Sequence, residues 1–250
     1  MTRSAAFWLS ALVISATAGT ASAADQAIIR KAAAAPEATE YGNLYYGFDW
    51  NSHRSLVGYM GVLYAPFGGM DKSGLRVSAF GLGGDYRYHG DPGETFNGRF
   101  VTADVLVGWS HVFNNGAFTV QVGANYQNHR IRPNDPNNSV VGSETGFKVQ
   151  GDLWVNPTER TLVYALASYS TAFNTYYSIG RLGYDFIGNG VFFGPEVGGL
   201  GNDRTDQFRV GAALTGIKVG PGKVTISSGW MRERDEGTGW YAAGSIDFSF

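Results

Sequence analysis

Between residues 101 and 130 the chain alternates apolar and polar side chains almost without interruption, and this rhythm restricts the fold more than any other feature of its 250 residues. Val101, Ala103, Val105, Val107 and Trp109 share one parity, with Thr102, Asp104, Gly108 and Ser110 on the other. Asn114-Asn115-Gly116 then reads as a tight turn, after which Phe118, Val120, Val122, Ala124 and Tyr126 oppose Thr119, Gln121, Gly123, Asn125 and Gln127. A period of two sends successive side chains to opposite faces of a strand, whereas a helix would spread both sets around its axis. The pattern recurs over residues 143–156 and 207–217, and again after Gly220-Pro221-Gly222, where Val224, Ile226, Ser228 and Trp230 line up. Weaker alternation fills 41–51, 55–65, 75–88, 161–170, 175–186 and 190–200. Together these predict about twelve strands, each long enough to cross a hydrocarbon layer when tilted, since roughly 9–11 residues suffice.

Alternation alone does not say which face meets water. In a soluble sandwich the apolar face points inward; in a barrel in lipid it points outward and the polar face lines the lumen. The last stretch favours the barrel. Trp240, Ala242, Ile246, Phe248 and Phe250 share one parity, and Ala243, Ser245, Asp247 and Ser249 share the other. A strand that ends on phenylalanine suits the seam that seals a barrel against its first strand, at a lipid–water boundary. Trp240, Ile246, Phe248 and Phe250 are accordingly expected to serve closure and recognition by the barrel assembly machinery. Tyr and Trp near other strand ends, among them Tyr46, Trp50, Tyr64 and Trp230, match interfacial belts. The expected fold is all-β: a transmembrane antiparallel up-and-down barrel of about 12 strands, surrounded by outer-membrane lipid.

The N-terminus supplies an address. A basic start at Arg3, an apolar stretch over residues 5–18 and Ala21-Ser22-Ala23 predict a signal peptide at 1–23, cleaved after Ala23. Residues 24–40, with a short alanine run that stops at Pro36, read as a flexible periplasmic leader before a barrel at 41–250. No other apolar run approaches the roughly 20 residues of a spanning helix. With 36 glycines and 14% aromatic residues, the chain is neither disordered nor an ordinary helical domain. A net charge of −2 and no basic cluster longer than Arg30-Lys31 give no case for nucleic acid. The absence of cysteine excludes thiol catalysis and thiolate metal sites. Tight connections are expected at the end carrying both termini, and long polar loops over 89–99, 131–142, 201–206 and 233–239 at the other, which places the termini in the periplasm and the chain in the cell outer membrane.

The lumen parity collects Asp104, Glu144, Lys148, Asp152, Arg181, Glu196 and Arg209, a mixed-sign set expected to pair across strands, as Arg181 with Glu196, and to fill the barrel. The other use of such charges is to line a path for a small solute, as in a general porin. His53, His89, His111 and His129 fall at strand ends or in loops with no spacing that converges on a metal, and His111 lacks the nearby serine an outer-membrane lipid hydrolase would need. No cofactor, metal or catalytic group is expected. Tyr86, Tyr88, Tyr176 and Tyr177 are candidates for stacking on sugar rings. Residues 89–99 and 131–142 are the expected contact surface for a polymer or partner.

Several longer runs point further. Gly142-Ser143-Glu144-Thr145-Gly146-Phe147-Lys148-Val149 leads into Asp152-Leu153, then residues 168–177, Arg181-Leu182-Gly183-Tyr184 and Phe193-Gly194-Pro195-Glu196. With Tyr126-Gln127-Asn128-His129, Pro133-Asn134-Asp135-Pro136 and the opening at 41–49, these resemble the alphaproteobacterial cellulose biosynthesis protein S family of outer-membrane barrels. The resemblance spans most of the chain after residue 40. It implies a non-enzymatic role accessory to cellulose synthesis, export or surface attachment, with cellulose or other cellulose-secretion components as partners, and carries over no site residues.

Overall fold

The computed structural model describes residues 39–90 and 93–250; the predicted signal peptide, and the predicted leader up to residue 38, lie outside the described residues. Twelve strands follow one another: β1 (Gly42–Asn51), β2 (Ser55–Tyr64), β3 (Gly74–His89), β4 (Thr95–Phe113), β5 (Gly116–Arg132), β6 (Gly142–Val155), β7 (Thr161–Ser170), β8 (Tyr176–Tyr184), β9 (Phe192–Gly201), β10 (Asp206–Val219), β11 (Gly222–Glu233) and β12 (Gly237–Ser249). Each pairs antiparallel with its neighbours in sequence, and β12 returns to β1 in a register running from Asn43↔Ser249 to Asn51↔Tyr241. The sheet is a closed barrel with no free edge.

Parity decides what faces where. Val101, Val105, Val107 and Trp109 of β4, and Phe118, Val120, Val122 and Tyr126 of β5, are exposed on the outside of the wall. Between them Thr102, Asp104, Ser110, Thr119, Gln121, Asn125 and Gln127 are buried inside. An apolar exterior around a polar interior is the arrangement of a barrel in lipid. No helix among the described residues is long and apolar enough to cross a membrane.

The seam uses the aromatic end of the chain. Tyr41 and Gly42 donate their N–H groups to Phe250 O at 2.6 and 3.1 Å, and Phe250 N–H donates to Gly42 O at 3.0 Å. The Phe250 ring lies where a Cβ on Gly42 would be, 2.5 Å from Cζ. Outside, Phe248 packs on Tyr46 with ring centroids 5.6 Å apart, while Trp240 stands 64% exposed. Inside, Tyr45 lies over Gly61, where a Cβ would meet its hydroxyl at 2.3 Å. Glycine here makes room for a ring that crosses the strand.

The wall is uneven in height. Strands β3, β4 and β5 run 16, 19 and 17 residues, against 10 for β1, β2 and β7 and 9 for β8. The surplus projects at the end opposite the termini, where β3 pairs with β4 as far as His89↔Thr95 and β4 with β5 as far as Asn97↔Arg132. This three-stranded fin corrects the expectation of a long loop over residues 89–99. Backbone groups there gain more from ladder partners than a loop would give them, so the connection shrinks to the residues between His89 and Thr95.

Candidate functional site

The lumen is packed. At mid-height Lys148 on β6 binds Asp104 on β4, and Asn125 on β5 donates its amide to the other oxygen of the same carboxylate. Asn125 Oδ1 accepts in turn from Gln127 Nε2 at 2.8 Å and Ser170 Oγ at 2.7 Å. Arg181 Nε on β8 meets Glu196 on β9 at 2.6 Å, and the Tyr241 hydroxyl on β12 donates to the second Glu196 oxygen at 2.8 Å. Arg209 on β10 forks onto Asp49 of β1 at 2.5 and 2.9 Å, the two-pronged geometry a guanidinium offers a carboxylate. Rings complete the layer: Arg209 lies 5.0 Å from the Tyr241 centroid, Arg181 5.5 Å from Tyr164, and Lys148 5.8 Å from Phe80. Lys148, Asp104, Glu196, Arg209 and Tyr241 are each at most 6% exposed, which a water-filled bore would not leave them.

Nearer the termini Arg76, 1% exposed, donates to the carbonyls of Leu75, Met70 and Lys72. It closes that end from inside by capping the connection between β2 and β3.

The expected lumen set is thus dispersed into separate groupings. Asp104 with Lys148, and Arg181 with Glu196, meet as pairs; Arg209 instead finds Asp49, three strands away around the barrel. Asp152 is buried nearer the terminus end, within electrostatic reach of Arg76. Glu144 is exposed and not part of the layer; it accepts the Phe173 N–H at 3.2 Å in the β7–β8 connection. It stands four residues beyond Lys148 on β6, where the wall opens.

At the fin the inward face is aromatic. Tyr86 and Tyr88 stack 6.1 Å apart, Phe96 lies 5.2 Å from Tyr88, and Phe100 lies 6.0 Å from Tyr86. His129 stacks on Phe100 at 5.5 Å and meets Phe173 edge-on at 5.1 Å. The Tyr88 hydroxyl donates to Asp135 at 2.7 Å and accepts from Asn138 at 2.8 Å, which ties the β5–β6 connection to the wall. Facing these rings across a cleft are Asn202, Arg204, Thr205 and residues 233–236. Glu233 is held there by His53 at 3.3 Å and by Thr205 and Gln207 at 3.1 Å each. The hydrogen bond that His53 donates to Glu233 raises the pKa of His53, which sits in the turn between β1 and β2. Over the mouth, His89 donates its N–H to Glu236 at 2.7 Å and brings Nδ1 to 3.0 Å from the same carboxylate, joining the fin tip to the β11–β12 connection.

His129, near the end of β5, is packed inside the wall and 3% exposed. Gln127 Nε2 donates to Asn125 Oδ1 and the Ala172 carbonyl, so Gln127 Oε1 is the atom that faces His129 Nε2, at 3.2 Å. Nε2 therefore carries the proton and Nδ1 is an acceptor. That Nδ1 is enclosed without a hydrogen-bond partner, and His129 lines the cleft. Of the tyrosines, Tyr86 and Tyr88 share the inward face, but Tyr176 and Tyr177 are adjacent in β8 and point to opposite faces. Tyr176 bonds Asp206 at 2.6 Å, and Tyr177 packs on the cluster around Trp154 and Tyr164. They form no joint platform. The described residues contain no group of His, Asp and Glu placed to hold a metal ion.

A family model described as cellulose biosynthesis protein BcsS matches residues 43–250, which is the whole barrel. The chain belongs to this family. Comparison with curated proteins gives no match. Among solved structures it is similar to a KdgM porin (11% identity, 83% of this chain and 99% of that one, TM-score 0.45) and to a deletion mutant of the monoaromatic hydrocarbon channel TodX (7%, 85% and 91%, 0.49). It is similar also to LpxR from Salmonella typhimurium (14%, 83% and 100%, 0.49). These likenesses are weak, and the fold of this BcsS-family chain rests on its own closed ladder.

Proposed function

We propose that this BcsS-family barrel is a non-enzymatic accessory of cellulose production that works at the cell surface through the cleft beneath its fin, and not by conducting solute. The chain sits in the outer membrane with both termini on the periplasmic side and the fin outside. The observation that carries the reading is the packed lumen: its ion pairs and rings leave the outer cleft as the surface free to meet a polymer. Tyr86 and Tyr88 offer the kind of face on which a pyranose ring stacks. The opposite wall, with Glu233, Asn202 and Thr205, offers partners to hydroxyl groups. The cleft's carboxylates Glu233, Asp235 and Glu236 are already engaged by Thr205 and Gln207, by Arg204 and by His89, which suits binding better than acid–base chemistry. Surface cellulose in a deletion strain, set beside parent and complemented strains, tests the role. Cellulose falls on deletion under this reading; an unchanged amount, or large steady conductance of the purified protein in planar bilayers, overturns it.

A further inference from the structure

The outward face of the fin differs from its aromatic inner face. Asp85 and Arg87 of β3, Asn97 and Arg99 of β4, and Arg130 and Arg132 of β5 have outward parity. The register sets them in two rows, Asp85–Arg99–Arg130 and Arg87–Asn97–Arg132. Arg99 shares Asp85 at 2.6 Å with its own side chain 81% exposed, and Arg87 donates to Asn97 at 2.9 Å. Arg130 and Arg132 are exposed and form no ion pair with the described residues. Like charges directly opposite on neighbouring strands, as Arg99 and Arg130 are, destabilise a sheet unless an anion lies between them.

Their height identifies the anion. Val101, 53% exposed, is the last apolar outward residue of β4 before Arg99. Two residues of strand span about 7 Å. A bilayer about 40–45 Å thick around a core of about 30 Å leaves a headgroup layer of roughly 5–8 Å on each side. The arginine rows therefore begin at headgroup depth, against the wall and not over the mouth. Guanidinium groups bind phosphate through two parallel hydrogen bonds, and a row of them on a rigid ladder holds that geometry without loop ordering.

We propose that Arg87, Arg99, Arg130 and Arg132 form a binding site for the phosphate groups of a glycolipid in the outer leaflet. The site rests on the orientation proposed above and not on the cellulose role. The test uses the purified full chain in detergent, titrated with bisphosphorylated lipid A and with the same lipid after phosphate removal, followed by native mass spectrometry and thermal unfolding. The phosphorylated lipid should bind at least about tenfold more tightly and raise the melting temperature, a preference that Arg99→Ser/Arg130→Ser removes and Arg130→Lys largely retains. Arg130→Ser alone should leave the lipid-free melting temperature unchanged or slightly higher, because it relieves a like-charge pair, so the variant reports binding and not folding. Equal affinity for the dephosphorylated lipid, or undiminished binding by the double variant, overturns the site and leaves the cellulose phenotype to stand or fall separately.

Discussion

Replacing Lys148 with methionine keeps most of the side-chain volume and removes one charge from the packed lumen. The Lys148 and Asp104 side chains are 5% and 1% exposed, so the carboxylate left behind has no water to turn to and keeps only Asn125 as a donor. Breaking a buried pair from one side costs about 3–5 kcal/mol, and losing the ammonium over Phe80 adds about 0.5–2 kcal/mol. The single variant should therefore lose about 3.5–7 kcal/mol in urea unfolding from lipid vesicles. Asp104→Asn/Lys148→Met, which leaves no orphan charge, should recover most of that loss, and the double-mutant cycle reads the difference as coupling. A loss below about 1 kcal/mol, the value of a solvated pair, joined to a change in ion conductance, would show that water reaches these groups and would refute the packed lumen.

Val122→Arg, on the lipid face, should cost about 2–4 kcal/mol in a bilayer, measured by the same unfolding assay. Gln121, one residue away, faces the lumen but is 2% exposed, so Gln121→Arg should also destabilise, by about 1–3 kcal/mol of overpacking, and with little dependence on lipid. Phe250→Ala strips the ring from Gly42 at the seam and should lower the amount of heat-modifiable barrel recovered from outer membranes, which a gel-shift assay reads. His53 has a raised folded pKa, so its contribution is complete below the unfolded value of about 6.5 and fades as pH climbs through the folded value. Hydrogen exchange in residues 52–54 should accelerate over that window in the native chain and show no such step in His53→Gln.

Parity, strand number and the seam are legible in the sequence because an apolar exterior on one side of the wall and a crowded polar interior on the other impose a strict two-residue period. Asp49 went unread because its partner, Arg209, is 160 positions away, and only closure brings β1 opposite β10. Glu144 has lumen parity like Lys148, but height along a strand decides whether such a residue is packed or wet, and the alternation carries no mark of height. Residues 89–99 read as a loop in sequence because Gly90, Pro92, Gly93 and Gly98 are breakers. In the fold Gly98 admits the Tyr86 ring, where a Cβ would meet it at 2.1 Å, and so serves the strand. Tyr176 and Tyr177 are candidates for sugar stacking by residue type, yet the period of two that locates their strand sends them to opposite faces.

The fin and the cleft beneath it are where the proposed cellulose role resides. Trimming the fin, by joining Asp85 to Arg99 through a two-residue turn and shortening residues 133–141, leaves the remaining β3–β4 and β4–β5 ladders in register. The measurement is surface cellulose in a strain whose native chain is replaced by this one at matched outer-membrane levels. Cellulose reduced to that of the deletion strain is the predicted result. Cellulose at the parental amount, from a well-folded barrel without its fin, would contradict it.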